Sequence, residues 1–220
     1  MQDIIKDIRT RCRLAMNGIA STSMRQRGLV YKVNFGLMIQ QIKDMAANYE
    51  PSVELAELLW KEDTRELKIL ATLLYPLSDF SERVANRWLK EISNQEMREQ
   101  ICVNLYQNLP YAGRIALEWA DNLDENVRTT GYWLLVRLFL TKKADKVTSH
   151  SLDYVLGDVI SNNTFLRNAA LSVLKHIGRQ SKDESDYIVD KLSIYKEDPD
   201  PIKQEAYNSI AFEFEYYFEK

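Results

Sequence analysis

Apolar residues recur along this chain with the spacing of one face of an α-helix. Phe80, Val84, Trp88 and Ile92 repeat every four residues, and residues 152–160 carry a second stripe of the same kind. Side chains four positions apart lie on one helix face, whereas strands require alternation with a period of two. No segment shows such alternation bounded by hairpin turns. The pattern predicts an all-α protein.

Five amphipathic segments begin with one shared signature. An Asp or Asn is followed four or five residues later by a Lys or Arg, and a mostly small residue stands three positions further on. The three sets are Asp63, Asn94, Asp124, Asn163 and Asp198; Lys68, Arg98, Arg128, Arg167 and Lys203; and Ala71, Ile101, Gly131, Ala170 and Ala206. Asp and Asn side chains accept hydrogen bonds from the free amides of a first helical turn, so each signature predicts a helix start.

The signatures recur at intervals of 31, 30, 39 and 35 residues, and each follows another amphipathic stretch. Predicted partner helices lie near residues 52–60, 80–92, 111–121, 150–161 and 183–195. Two further helices are predicted near residues 2–19 and 34–48, around a loop that contains Ser21, Ser23 and Gly28. Helix pairs with this period are typical of a HEAT-like α-solenoid. We therefore expect about twelve helices in antiparallel pairs, in one domain over residues 1–220.

The charge of the chain is small overall but unevenly distributed. The net charge is −3, which taken alone argues against a general nucleic-acid binder. Residues 1–48, however, hold 8 basic and 3 acidic residues, and residues 181–220 hold 5 basic and 11 acidic residues. The N-terminal segment is therefore basic and the C-terminal segment acidic, and a proposed function has to account for this asymmetry.

Several classes of protein are disfavoured by what the sequence lacks. The first residues contain no apolar core of a secretory signal, and the apolar stretch Gly131–Leu140 is interrupted by Arg137. Cys12 and Cys102 share no motif, and no Cys/His cluster or phosphate-binding glycine loop is present. We expect a cytoplasmic, soluble monomer without a metal or cofactor and without a membrane segment.

Basic side chains are the strongest candidates for a binding role. Arg25, Arg27 and Lys32 surround the predicted loop before the third helix, where planar guanidinium groups could bind phosphates. The repeated basic residues allow two interpretations. They could contact phosphates from the inner side of the solenoid, which makes Lys68, Arg98, Arg128 and Arg167 DNA-binding candidates, or each could pair with the helix-start Asp of an adjacent repeat.

Four tryptophans, Trp60, Trp88, Trp119 and Trp133, lie on the helical stripes. Their positions favour core packing. A role in stacking against bases would require at least one exposed indole.

Three blocks near the beginning of the chain carry a family resemblance. They are Gly28-Leu-Val-Tyr-Lys-Val-Asn-Phe-Gly36, Glu54-Leu-Ala-Glu-Leu-Leu-Trp60 and Glu66-Leu-Lys-Ile-Leu-Ala-Thr-Leu-Leu74. Their order and spacing resemble the DNA alkylation repair family of HEAT-like glycosylases of the AlkD type, and the helical-repeat pattern continues to the C-terminus. The resemblance implies a helical solenoid that holds DNA in a basic groove and, in active members, releases purines alkylated at N3 or N7.

The same resemblance implies an altered active site. The Trp-x-x-x-Asp helix start of the family aligns with Gln95 and Glu99, and its arginine pair aligns with Arg128 and Thr129. A later tryptophan of the family's cleft falls near Ser172. Glu99 and Arg128 are then the candidate catalytic residues, although Glu99 could equally be a solvated helix charge. An aromatic ring from a neighbouring turn, such as Trp133 or Tyr132, could substitute for the missing ones.

Two functions follow from these observations. The first is a DNA-repair protein that binds duplex or branched DNA and has weak or absent base excision. The second is a non-enzymatic scaffold whose concave face binds another protein, which the acidic end of the chain favours. A basic concave face would indicate DNA binding, and exposed apolar residues on that face would indicate binding of another protein.

Overall fold

The computed structural model describes residues 1–144 and 147–219. These residues form thirteen α-helices, four short 3₁₀ turns and an isolated β-bridge between Val33 and Thr64, and they include no strand. The helices are α1 Gln2–Leu14, α2 Gly18–Gln26, α3 Ile39–Ala46, α4 Val53–Trp60, α5 Arg65–Leu74, α6 Glu82–Lys90, α7 Gln95–Asn104, α8 Ala112–Ala120, α9 Glu125–Leu140, α10 Val155–Asp158, α11 Thr164–Gly178, α12 Lys182–Leu192 and α13 Pro201–Phe218. The prediction of an all-α HEAT-like fold is confirmed.

The described chain divides into two compact units, Met1–Leu109 and Pro110–Lys220, here called the N-terminal and C-terminal units. In the N-terminal unit α5 packs against α1, α3, α4 and α7. In the C-terminal unit α9 packs against α8 and α11, and α11 packs against α10, α12 and α13. Short connections between consecutive packed helices produce antiparallel hairpins. The single domain predicted over residues 1–220 stays a prediction.

The helix count differs from the prediction at the beginning of the chain. The helix predicted over residues 2–19 is two helices, because Asn17 caps α2 by accepting a hydrogen bond from the amide of Ala20 at 3.0 Å. The loop predicted at Ser21 is consequently wrong, since Ser21 and Ser23 belong to α2. Gly28 does lie in the connection that follows, with a φ of 85°.

Three of the five predicted helix caps are confirmed. Asn94, Asp124 and Asn163 accept hydrogen bonds from first-turn amides of α7, α9 and α11. At the remaining two helices the residue before the first turn differs from the predicted cap. Thr64 precedes α5, and Asp200 rather than Asp198 caps α13 by accepting from the amide of Ile202 at 2.9 Å.

The tryptophans of the N-terminal unit pack in the core. Trp60 and Trp88 are fully buried and stack in parallel with ring centroids 4.0 Å apart, and the Trp60 indole donates to Glu91. Trp119 is also buried, whereas Trp133 is half-buried. Core packing is therefore confirmed for Trp60, Trp88 and Trp119.

No helix in the described ranges has the length and apolar character needed to cross a bilayer.

The small residue of the repeat signature matters most at Gly131. A Cβ atom at Gly131 of α9 would overlap the backbone of Trp119 and Ala120 at the end of α8. Gly113, by contrast, is exposed in α8, and a Cβ atom there would meet nothing within 4 Å. The two glycines differ in the space around them while both lie in helices, so they form a matched pair.

We predict opposite effects for the same substitution at these two positions. Gly131→Ala should lower the free energy of unfolding by about 1–3 kcal/mol, because the methyl group forces α8 and α9 apart. Gly113→Ala should leave it unchanged or raise it by up to about 1 kcal/mol, because alanine favours the helix. Urea unfolding of both variants checks this, and equal stability of the two would contradict the close approach at Gly131.

Candidate nucleic-acid interface

The connection between α2 and α3, residues 27–38, is an irregular loop that packs against both α2 and α5; we call it the α2–α3 loop. Gly36 has a φ of 75°, and a Cβ atom there would overlap the backbone of Asn17 and Ser21. Only glycine therefore allows the loop to lie against the start of α2. The amide of Asn17 also donates to the carbonyl of Phe35 at 2.9 Å.

A buried carboxylate from α5 fixes the same loop from the other side. Glu66 is inaccessible to solvent, and its two oxygens accept from the amides of Phe35 at 3.1 Å and Leu37 at 3.2 Å. The neighbouring Arg65 donates to the carbonyl of Leu37 at 2.7 Å and to Glu66 at 3.1 Å. The carboxylate replaces the backbone partners that an irregular loop lacks.

Arg65 is itself balanced by a second carboxylate. Its guanidinium donates to Glu96 of α7 at 2.7 and 2.8 Å. Burial alone would lower the pKa of Arg65, but the hydrogen bonds and charges of Glu96 and Glu66 outweigh it and raise that pKa. Tyr31 of the loop joins this cluster, since its hydroxyl lies 3.2 Å from Asn94 and 3.4 Å from Glu96.

The loop and α1 together border an open cleft, here called the N-terminal cleft. It has a volume of about 690 Å³. It is lined by Arg9, Arg13, Lys32, Val33, Phe35, Lys61, Glu62, Asp63 and Thr64. Four of these residues are basic and two are acidic. Arg9 pairs with Glu62 at 2.6 Å, and within the described chain Arg13, Lys32 and Lys61 form no salt bridge.

The three basic residues predicted around this loop are all exposed. Arg25 lies in the last turn of α2, Arg27 follows that helix, and Lys32 lines the N-terminal cleft. The cleft residues Arg9, Arg13 and Lys61 did not emerge from the sequence. The signal that could have indicated the two arginines is the positive charge of residues 1–48.

Repeated basic residues lie in a different setting, since they donate hydrogen bonds to acceptors of the protein itself. Lys68 donates to the carbonyl of Trp60 at 2.7 Å and lies over the Trp60 ring. Arg167 donates to the carbonyl of Ser161 at 2.5 Å. Arg98 is buried, donates to Gln95 at 2.7 Å and has a pKa lowered by burial.

Arg128 is the most completely engaged of these residues. Its guanidinium contacts both oxygens of Asp158 at 2.8 and 3.0 Å, and it donates to the carbonyls of Asn122 and Leu123 at 2.9 Å each. The hydrogen bond with Asp158 raises the pKa of Arg128. Tyr132 is buried and donates its hydroxyl to the same carboxylate at 2.7 Å. Arg128 therefore pairs within the scaffold, but with the aspartate at the end of α10 rather than with a helix-start Asp.

Gln95 and Glu99, which the resemblance implies lie at the family's catalytic helix start, form a small polar group with Arg98 on α7. Glu99 is half-buried and accepts from the Gln95 side-chain amide at 2.9 Å, and the oxygen of that amide accepts from Arg98. In the C-terminal unit, Ser172 donates to the carbonyl of Asn168 at 2.8 Å. The structure thus brings Gln95, Arg98 and Glu99 together and gives each a polar partner.

No group of His, Cys, Asp and Glu side chains suited to hold a metal ion occurs among the described residues.

Comparison with known proteins identifies the family of this chain. The profile of the DNA alkylation repair enzyme family matches residues 19–210. A solved structure from "a new family of proteins related to the HEAT-like repeat DNA glycosylases with affinity for branched DNA structures" is similar in fold, with a TM-score of 0.74 and 14% identity over 96% of this chain and 94% of that one. No curated protein matches the sequence. The family profile spans most of the chain, and the chain therefore belongs to the DNA alkylation repair enzyme family.

Proposed function

We propose that this chain is a DNA-binding repair protein that recognises duplex or branched DNA and has weak or absent base excision. The N-terminal cleft carries this proposal, because it gathers exposed cations in the most basic part of an acidic chain. Membership of its family and the fold shared with a protein that has affinity for branched DNA support it. We place the protein in the cytoplasm as a monomer.

Phosphate recognition is assigned to the exposed cations rather than to the buried ones. Arg25, Arg27 and Lys32 are exposed on one stretch of chain, and Arg13 and Lys61 add charge at the cleft. Side chains that already bind protein acceptors, such as Arg128, would have to break those bonds to reach a phosphate. Exposed cations instead release condensed counterions from DNA without disturbing the fold.

Weak base excision is supported by the surroundings of the aligned catalytic residues. An amide side chain, Gln95, stands where the family has an indole, and Glu99 accepts a hydrogen bond from it. Arg128 binds Asp158, and Tyr132 is buried against the same carboxylate. Neither Arg128 nor Tyr132 is disposed to stabilise a cationic sugar, which in active relatives benefits from aromatic faces.

A protein-binding scaffold is the second candidate, and the last helix favours it. Phe212 is 70% exposed and Tyr216 58% exposed on α13, with ring centroids 6.4 Å apart. Large exposed aromatic residues are enriched at protein interfaces. Glu215 and Glu219 lie on the same helix end, so a partner of this surface would be apolar and basic.

Reversing the charge of Arg25 and Arg27 should weaken DNA binding. Arg25→Glu with Arg27→Glu should reduce affinity for duplex DNA by about tenfold or more at low salt, because two phosphate contacts are lost and repulsion replaces them. The slope of log K against log salt should flatten by about two units. Fluorescence anisotropy at several salt concentrations measures both quantities.

A matched control separates local contacts from a change in net charge. Arg83→Glu with Lys90→Glu alters the charge equally on the exposed side of α6 and should leave affinity within about twofold. Equal loss in both double variants would show that only the total charge matters. Failure of the wild-type protein to bind any DNA at low salt would favour the scaffold function.

Excision of alkylated purines should be slower than in a family member that retains both tryptophans of the cleft, which here align with Gln95 and Ser172. Each face contributes roughly 1–2 kcal/mol to a desolvated cation, so losing two slows the step by about one to three orders of magnitude. The measurement is release of N7-methylguanine and N3-methyladenine from methylated DNA, with heat-released bases as the reference. Rapid turnover that Glu99→Gln abolishes would contradict this prediction and establish Glu99 as catalytic.

A further inference from the structure

We propose that the N-terminal cleft accommodates one unpaired nucleotide of the bound DNA strand, an inference that rests on the proposed function. A volume of about 690 Å³ is within the usual range of about 300–1,000 Å³ for sites that hold small organic ligands. The cleft combines two surfaces. Val33 and Phe35 contribute apolar side chains, and Arg9, Arg13, Lys32 and Lys61 contribute positive charge.

The apolar part of the cleft suits the face of a base. Val33 is 36% exposed, and Phe35 is half-buried and also lines the cleft. Bases stack on aromatic side chains with little dependence on sequence, and each stacked base commonly changes affinity by about tenfold or more. Within a duplex both faces of a base are covered by its neighbours. Apart from the outer face of a terminal base pair, only an unpaired nucleotide, at an overhang, a gap or a branch point, presents a free face.

The acidic residues of the cleft favour a whole nucleotide over an inorganic anion. Glu62 and Asp63 would repel an isolated phosphate, and Glu62 already occupies Arg9 at 2.6 Å. Carboxylates, however, accept hydrogen bonds from the N–H groups on base edges. The mixture of cations, apolar surface and carboxylates therefore matches the phosphate, face and edge of a nucleotide.

The cleft is preorganised by the contacts that hold the α2–α3 loop. The Val33 amide donates to the carbonyl of Asp63 at 3.1 Å, and the Arg65 amide donates to the carbonyl of Val33 at 3.0 Å. Glu66 fixes the amide of Phe35 at 3.1 Å. Because the backbone on either side of the apolar surface is already ordered, a nucleotide can bind without ordering the loop, which favours affinity.

The test compares one duplex in two forms, blunt and with a short single-stranded thymidine overhang. Wild-type protein should bind the overhang form at least fivefold more tightly in anisotropy measurements. Val33→Asp and Lys61→Glu should each bring that ratio close to one, because they place negative charge in the cleft. Lys90→Glu, with the same change of charge as Lys61→Glu on α6, should keep the wild-type ratio.

Photocrosslinking locates the nucleotide directly. An overhang whose first unpaired base is 5-iododeoxyuridine should crosslink to the peptide containing residues 32–35, as identified by mass spectrometry. Duplex binding with no overhang preference, or a crosslink confined to other segments, would overturn this inference and leave the proposed function intact. Absence of binding to both DNA forms would instead overturn the proposed function. A thermal unfolding midpoint of Val33→Asp close to that of the wild type confirms that the variant is folded.

Discussion

The buried carboxylate of Glu66 is the interaction on which the N-terminal unit depends most. An irregular loop packed into a core leaves backbone amides without helical partners, and Glu66 supplies acceptors for two of them, at Phe35 and Leu37. A buried charge requires its own compensation, which Arg65 provides for Glu66, and the charge of Arg65 is balanced in turn by Glu96. Removing one member of such a cluster leaves an uncompensated buried charge and typically costs about 3–5 kcal/mol. The shape of the N-terminal cleft is thus tied to the stability of the unit.

A different use of charge appears at the repeated basic positions. Lys68, Arg128 and Arg167 each donate to a backbone carbonyl at or just after the end of the preceding helix. Carbonyls in that region lack helical donors, so a basic side chain can satisfy them and close the connection between two helices. The repeat signature therefore encodes both ends of a hairpin connection, with a cap for the new helix and a donor for the old one.

Much of this fold could be predicted from local pattern because the deciding forces are local. Asn94, Asp124 and Asn163 cap their helices through contacts within three residues, and buried indoles follow from helical stripes. Apolar periodicity does not predict the break between α1 and α2, although the Asn17-Gly18 pair is a recognised turn signal. Apolar spacing continues across that pair, so periodicity alone joined two helices into one.

The candidate site was less accessible to sequence reasoning, for a physical reason. Arg13, Lys32 and Lys61 belong to three separate segments, and they reach one cleft through long-range contacts, among them the bonds of Glu66 to a loop about thirty residues away in sequence. A periodic pattern contains no information about such a long-range bond. The positive charge of residues 1–48 indicated a basic surface without indicating which cations share it.

Net charge is a poor guide to the partner of this chain. At physiological ionic strength the Debye length is about 8 Å, so exposed charges farther apart than this are largely screened from one another. A phosphate in the N-terminal cleft would experience chiefly Arg9, Arg13, Lys32 and Lys61, with Glu62 and Asp63 opposing them. The net charge of −3 is a sum over the whole chain and does not describe that local field. An acidic protein can consequently present a cationic site, provided that its fold assembles the cations and uses some of its carboxylates to hold the site open.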